Sequence, residues 1–183
     1  WLVNNYSVGH WDAYYGFQLT HTDFFRRGAM RNGHNPDNSY GAGRHHSFTD
    51  MMLKGGLTYK FSGRQLLSAN VVYGTMAPLA NDAYISPRVC DETPDNLKSS
   101  RIFSADLNYI FAFNRLKGRV GVFQTNFYDL IERNSFYYDG VTFVNHMMTG
   151  VNKVHRGIEL GLTYKLDGHW SFDLAGTVSE YYY

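Results

Sequence analysis

The chain is built on alternation. In residues 11–25, Ala13, Tyr15, Phe17 and Leu19 share one parity, while Asp12, Tyr14, Gly16, Gln18, Thr20 and Thr22 share the other. Successive side chains of a strand point to opposite faces, so a period of two predicts a strand with one apolar and one polar side. The pattern returns over 52–61, where Leu53, Gly55, Leu57, Tyr59 and Phe61 oppose Lys54, Gly56, Thr58 and Lys60. It returns again over 65–76 and from Phe103 to Phe113, then over 154–166, and finally from Trp170 onward. Between 118 and 131 the parity is ambiguous: Val120 and Val122 favour one face, Phe123 and Phe127 the other, and a bulge between them would reconcile the two. The fold class that follows is all-β, with about seven strands.

The connections sort by length. Residues 26–49, 77–99 and 132–153 read as long loops, rich in Gly, Asn, Asp and Pro. A short strand at Val141–Val144 fits inside the third of them. Residues 62–64, 114–117 and 167–169 read as tight turns. Long and short connections therefore alternate, which gathers all the long ones at one end of the sheet. Transmembrane β-barrels have this arrangement, with long extracellular loops and short periplasmic turns. Strands of about 11 to 14 residues, tilted near 40°, rise about 28 to 35 Å and cross an apolar band about 25 Å tall.

The two faces differ as a membrane requires. The apolar parity carries hardly a charge, whereas the polar parity carries Lys54, Lys60, Asp106, Glu159, Lys165 and Asp173. Tyr59, Phe61, Phe111, Phe113, Tyr164 and Trp170 gather near the short turns, as an aromatic girdle would. Glycines on the polar parity (Gly16, Gly56, Gly74, Gly157 and Gly161) either leave interior room or relieve crowding in twisted strands. An antiparallel sandwich with one wet face is the soluble alternative.

Composition narrows the partners. The chain has 183 residues, is 17% aromatic and only 18% charged, and has a formal net charge of +1. That excludes a basic nucleic-acid footprint. The single cysteine, Cys90, excludes a disulfide framework. The two ends resemble cuts through a longer protein, with no leader pattern at Trp1-Leu2-Val3. No catalytic, metal or cofactor motif is present: His34, His45, His46, His146 and His155 lack ligand spacing, and Ser86 lacks a base. The chemistry expected of this chain is binding. Tyr84, Arg88, Arg133, Tyr137, Tyr138 and His146 lie in the long connections, where a rigid scaffold displays recognition residues. Gln18, Asn70, Asp106, Asn108 and Glu159 lie on the polar parity and face the interior.

Several segments, in order, resemble the C-terminal part of the barrel of TonB-dependent outer-membrane receptors, most of all those of Bacteroidetes. They are Lys54-Gly55-Gly56-Leu57-Thr58-Tyr59-Lys60, Ala77-Pro78 with Ala83-Tyr84-Ile85-Ser86-Pro87-Arg88, and Leu97-Lys98-Ser99-Ser100 leading into Ser104–Tyr109. Phe143-Val144-Asn145 followed by His155-Arg156-Gly157-Ile158-Glu159-Leu160 is the most specific. The resemblance implies a barrel of about twenty-two strands filled by an N-terminal plug. It also implies uptake of an external nutrient powered by the TonB system, and a Gram-negative outer-membrane location. On that reading residues 1–183 are a partial barrel domain without the plug. Its partners are outer-membrane lipid, the plug and remaining strands, TonB through the plug, and a surface lipoprotein as an additional candidate. The interior polar residues then face the plug. A passive porin-like or adhesion barrel and a soluble ligand-binding sandwich are the alternatives.

Overall fold

The computed structural model describes residues 1–183 and contains strands and no helix. Ten strands occur in the order β1 (Leu2–Val8), β2 (Trp11–Phe24), β3 (Arg27–Gly28), β4 (Gly41–Ala42), β5 (His46–Ser62), β6 (Gln65–Met76), β7 (Ser100–Ala112), β8 (Leu116–Tyr137), β9 (Phe143–Lys165) and β10 (Ser171–Tyr182). Eight form one sheet in the order β1-β2-β5-β6-β7-β8-β9-β10, every neighbour antiparallel, and β3 pairs with β4 inside a loop.

The register turns the sequence alternation into two surfaces. Tyr6, Ala13, Leu57, Ala69, Leu107, Val122, Ile158 and Val178 are consecutive cross-strand partners and form one apolar row across all eight strands. One residue along each strand, Asn5, Tyr14, Gly56, Asn70, Asp106, Phe123, Gly157 and Ser179 form the adjacent row on the opposite face. A slip of one residue anywhere would exchange the two sets, so the alternation fixes the register.

Three sequence expectations are corrected. The sheet has eight long strands, not seven: β1 precedes the first expected strand and joins it through Gly9-His10, where Gly9 takes φ +59. Asn4 interrupts the apolar parity of Leu2, Tyr6 and Val8, which hides the strand from a pattern reading. Residues 132–153 are not a loop. They are the outer halves of β8 and β9, 22 and 23 residues long, joined by a tip at 138–142. The tip turns at Asp139 (φ 24) and Gly140 (φ 78), with the Asp139 carboxylate accepting from the Val141 and Thr142 backbone N–H groups. No bulge separates Val122 from Phe123. Pairing is continuous from Leu116 to Phe127, and the register shifts lie beyond it, at Phe127/Leu130 and Leu130/Glu132. Phe123 is an aromatic on the polar face that fits because Gly157 lies opposite; a Cβ there would stand 3.0 Å from the Phe123 ring.

Buried side chains are few and unevenly placed. The buried hydrophobic residues are Ala83, Tyr84 and Cys90, all in the 77–99 connection. The large apolar residues of the sheet, such as Leu53, Leu107, Ile158 and Leu174, are exposed.

Candidate binding surfaces of the wall and the loops

The polar face of the sheet carries a connected network. Asn70 donates to Asp106 at 2.8 Å and receives the Tyr14 hydroxyl at 3.1 Å. Asn108 donates to the same Asp106 oxygen and accepts from Arg119 at 2.8 Å. Arg119 then approaches Glu159 at 3.7 Å. Four of the five interior residues expected from sequence, Asn70, Asp106, Asn108 and Glu159, therefore belong to one cluster, completed by Tyr14 and Arg119. Arg119 falls in the stretch of ambiguous parity, so alternation alone does not assign it a face. Gln18 stands apart, nearer the loops, bonded to Thr20 at 3.1 Å.

Two glycines explain how this wall closes up. At Gly56 a Cβ would meet the Tyr14 ring at 2.3 Å, so the absence of a side chain lets Tyr14 lie across β5 to reach Asn70. At Gly74 a Cβ would stand 2.5 Å from the Met51 carbonyl oxygen, a contact with backbone. The crowding account of these polar-face glycines holds at both; only Gly161 has open space around it.

At the other end the connections pack on one another. Arg26 donates to the Pro87 and Ser39 carbonyl oxygens at 2.7 and 3.1 Å, and the Asp91 carboxylate accepts from the Arg44 backbone N–H at 2.8 Å. Tyr84 stacks edge-on against Phe24 and His46 at 6.2 and 5.8 Å between ring centroids. Burial, with the Arg44 charge second, holds the His46 imidazole below its ordinary range. Burial, reinforced by Asp91, holds the Tyr84 phenol above its own. The His46 Nε2 and the Tyr84 hydroxyl are buried with no hydrogen-bond partner, as are both Asp50 carboxylate oxygens on the wall below.

The loop residues expected to meet a ligand divide accordingly. Tyr84 is 3% exposed and serves the packing of the loops; it does not face outward. Arg133 is half-buried and donates to the Asn81 and Tyr84 carbonyl oxygens at 2.9 and 3.2 Å, tying the β8–β9 hairpin to the 77–99 connection. Arg88 is exposed. Arg88 and Arg133 share a cleft between that connection and the hairpin, with Ser86, Ser135, Phe143 and Asn145. Tyr137, Tyr138 and His146 are exposed on the hairpin and do not line the cleft.

Comparison with known proteins decides the setting of these two surfaces. The family described as TonB dependent receptor-like, beta-barrel matches residues 1–183. The chain belongs to that family. Among solved structures it is similar to the copper transporter OprC, with a TM-score of 0.75 at 16% identity, over 95% of this chain and 27% of that one. The chain thus spans about a quarter of the length of that transporter, and the likeness is one of fold. No curated protein sequence matches it.

The apolar row and the network of Asn70, Asp106 and Asn108 lie on opposite faces of the wall. The short turns are periplasmic and the packed connections extracellular. Aromatic side chains gather beside the short turns: Trp11 and Tyr59 lie 4.6 Å apart and Phe111 and Phe113 5.6 Å apart, with Phe61 and Trp170 exposed. Arg156 lies on the lipid-facing parity near the outer rim, paired with Glu180 at 2.7 Å and set over the Tyr182 ring.

Proposed function

We propose that this chain is part of the wall of a Gram-negative outer-membrane receptor that binds an external nutrient and imports it with TonB-coupled energy. One observation carries the reading: a wall with one exposed apolar face and one polar, networked face bears long connections packed into a fixed cap at one end. That arrangement suits recognition outside and a plug within. The interior network presents Tyr14, Asp106, Arg119 and Glu159 as hydrogen-bonding and charged partners for an N-terminal plug domain. The edges β1 and β10 pair with further strands of the same barrel, since an unpaired edge in hydrocarbon leaves backbone groups unsatisfied. The exposed tip residues Tyr137 and Tyr138 are available to a surface lipoprotein. The order of motifs along 50–166 supports a Bacteroidetes origin.

The test is uptake by cells carrying the full-length receptor. Growth on the cognate nutrient should require the gene, and uptake should stop when a protonophore collapses the energy supply. Uptake that persists after collapse would favour the passive porin-like barrel. Surface attachment without uptake would favour an adhesion barrel.

A further inference from the structure

The cleft between the 77–99 connection and the β8–β9 hairpin is lined by two arginines and no carboxylate. On the neighbouring strands the cations are paired: Lys98 and Arg101 both sit on Asp129 at 2.8 and 3.0 Å, Lys153 pairs with Glu132, and Arg156 pairs with Glu180. Arg88 and Arg133 have no such partner, and no Asp or Glu lines the cleft they share. Arg88 makes no side-chain hydrogen bond. Arg133 uses only Nη1, toward two carbonyl oxygens, which leaves Nε and Nη2 uncommitted. Two unmatched guanidinium groups around one concavity repel each other, and an anion between them removes that repulsion.

Ser86, Ser135 and Asn145 supply a polar lining that is held in place. Ser135 donates to the Asn145 side-chain oxygen Oδ1 at 2.7 Å, and the Asn145 side-chain Nδ2 donates to the Ser86 hydroxyl at 2.8 Å. The Ser86 hydroxyl hydrogen remains free to donate to a ligand. Ser86 begins a turn closed by the Val89 and Cys90 N–H groups on its carbonyl, and Arg26 fixes the adjacent Pro87 carbonyl. The Phe143 ring, 58% exposed, adds an apolar wall and packs against Tyr137 at 5.6 Å. A site fixed before the ligand arrives loses less entropy on binding.

We propose that this cleft is the receptor's recognition site for an anionic, hydroxyl-bearing ligand. A carboxylate, sulfate or phosphate would sit between Arg88 and Arg133, with hydroxyls on Ser86 and Asn145 and a carbon face on Phe143. The inference rests on the receptor reading and adds the chemical class of the cargo. An acidic oligosaccharide and a small hydroxy-polycarboxylate share that chemistry.

Calorimetry on the purified full-length receptor separates these sources with four probes: oligogalacturonate, a sulfated oligosaccharide, citrate, and a neutral maltooligosaccharide. At least one anionic probe should bind, more weakly as salt rises, and the neutral one should not. Binding of an acidic saccharide without citrate points to the saccharide, and the reverse to the polycarboxylate. Arg88→Glu should lower affinity by about tenfold or more, and Arg88→Lys by less, because a charge-assisted contact is reversed in one and kept in the other. Arg88 is exposed, so neither variant threatens folding. Failure of every anionic probe at millimolar concentration, equal binding of the neutral probe, or an unchanged affinity in Arg88→Glu would overturn the proposal. Energised uptake of a neutral nutrient would reject the anion site and leave the receptor intact. Anion binding with uptake indifferent to the protonophore would do the opposite.

Discussion

The wall and the extracellular cap of this protein are stabilised in opposite ways. The wall has almost no core. Its large side chains, Leu57, Leu107 and Ile158 among them, remain exposed in the isolated chain because lipid is their solvent, and its strands are held by cross-strand hydrogen bonds. The cap behaves as a small water-soluble fold. Ala83, Tyr84 and Cys90 are buried in it, and Arg26, Asp91 and Arg133 bind backbone groups that would otherwise lack partners. The difference teaches where each kind of substitution hurts. In the wall the face decides; in the cap the packing decides.

The sharpest test of the contrast is orientation. Tags placed in 25–45, 77–99 or 138–142 should be labelled on intact cells. Tags in the turns at 63–64, 113–115 and 166–170 should stay dark until the outer membrane is opened. Labelling of one short turn in assembled receptor would break the assignment of ends.

The next largest effect concerns the faces. Leu107→Arg puts a charge into hydrocarbon and should cost about 2 to 4 kcal/mol, read as loss of assembled protein in the outer membrane. An assembly level equal to that of a substitution at Asp106 would remove the distinction between faces.

Within the cap, Gly28→Ala should cost about 1 to 3 kcal/mol, because a Cβ there would lie 1.7 Å from the Ser39 carbonyl oxygen. The damage should stay local. Hydrogen exchange should rise over residues 25–45 while β6 and β7 remain protected. Loss of the whole barrel would show that cap and wall fold as one unit.

Acid should loosen the cap before the wall. His46 has a lowered pKa, so its contribution to stability is full above the ordinary imidazole value of about 6.5 and declines as pH falls below it toward the folded value, where the unfolded chain binds the extra proton. Exchange over 77–99 should increase on mild acidification, and His46→Leu should remove that increase. A pH-independent exchange rate in the natural protein would count against the buried neutral imidazole.

The smallest effect should come from Asp106→Asn, about 1 kcal/mol or less. The substituted side chain keeps a carbonyl oxygen for Asn70 and Asn108, and the interior is polar.

The sequence by itself determined the faces and the order of ends. Alternation, with most charges on one parity, put Leu107 and Asp106 on opposite faces, because the strand period is two whatever the neighbours are. It located β6 at 65–76 and the periplasmic turns, since tight turns carry their own residue signals. It also placed Asn70, Asp106, Asn108 and Glu159 on one side, which is why most of the interior network was legible. What it could not fix depends on contacts between distant segments. The outer halves of β8 and β9 are strands because they pair with each other and with the 77–99 connection, not because 132–153 alternates. Phe123 finds room on the polar face because Gly157 stands opposite it on another strand. Tyr84 is buried and Arg88 is exposed within five residues of the same connection, a division set by the packing of Phe24 and His46 from two other strands. Local pattern determines which way a strand residue points; only the tertiary structure decides which loop residues are left for a ligand.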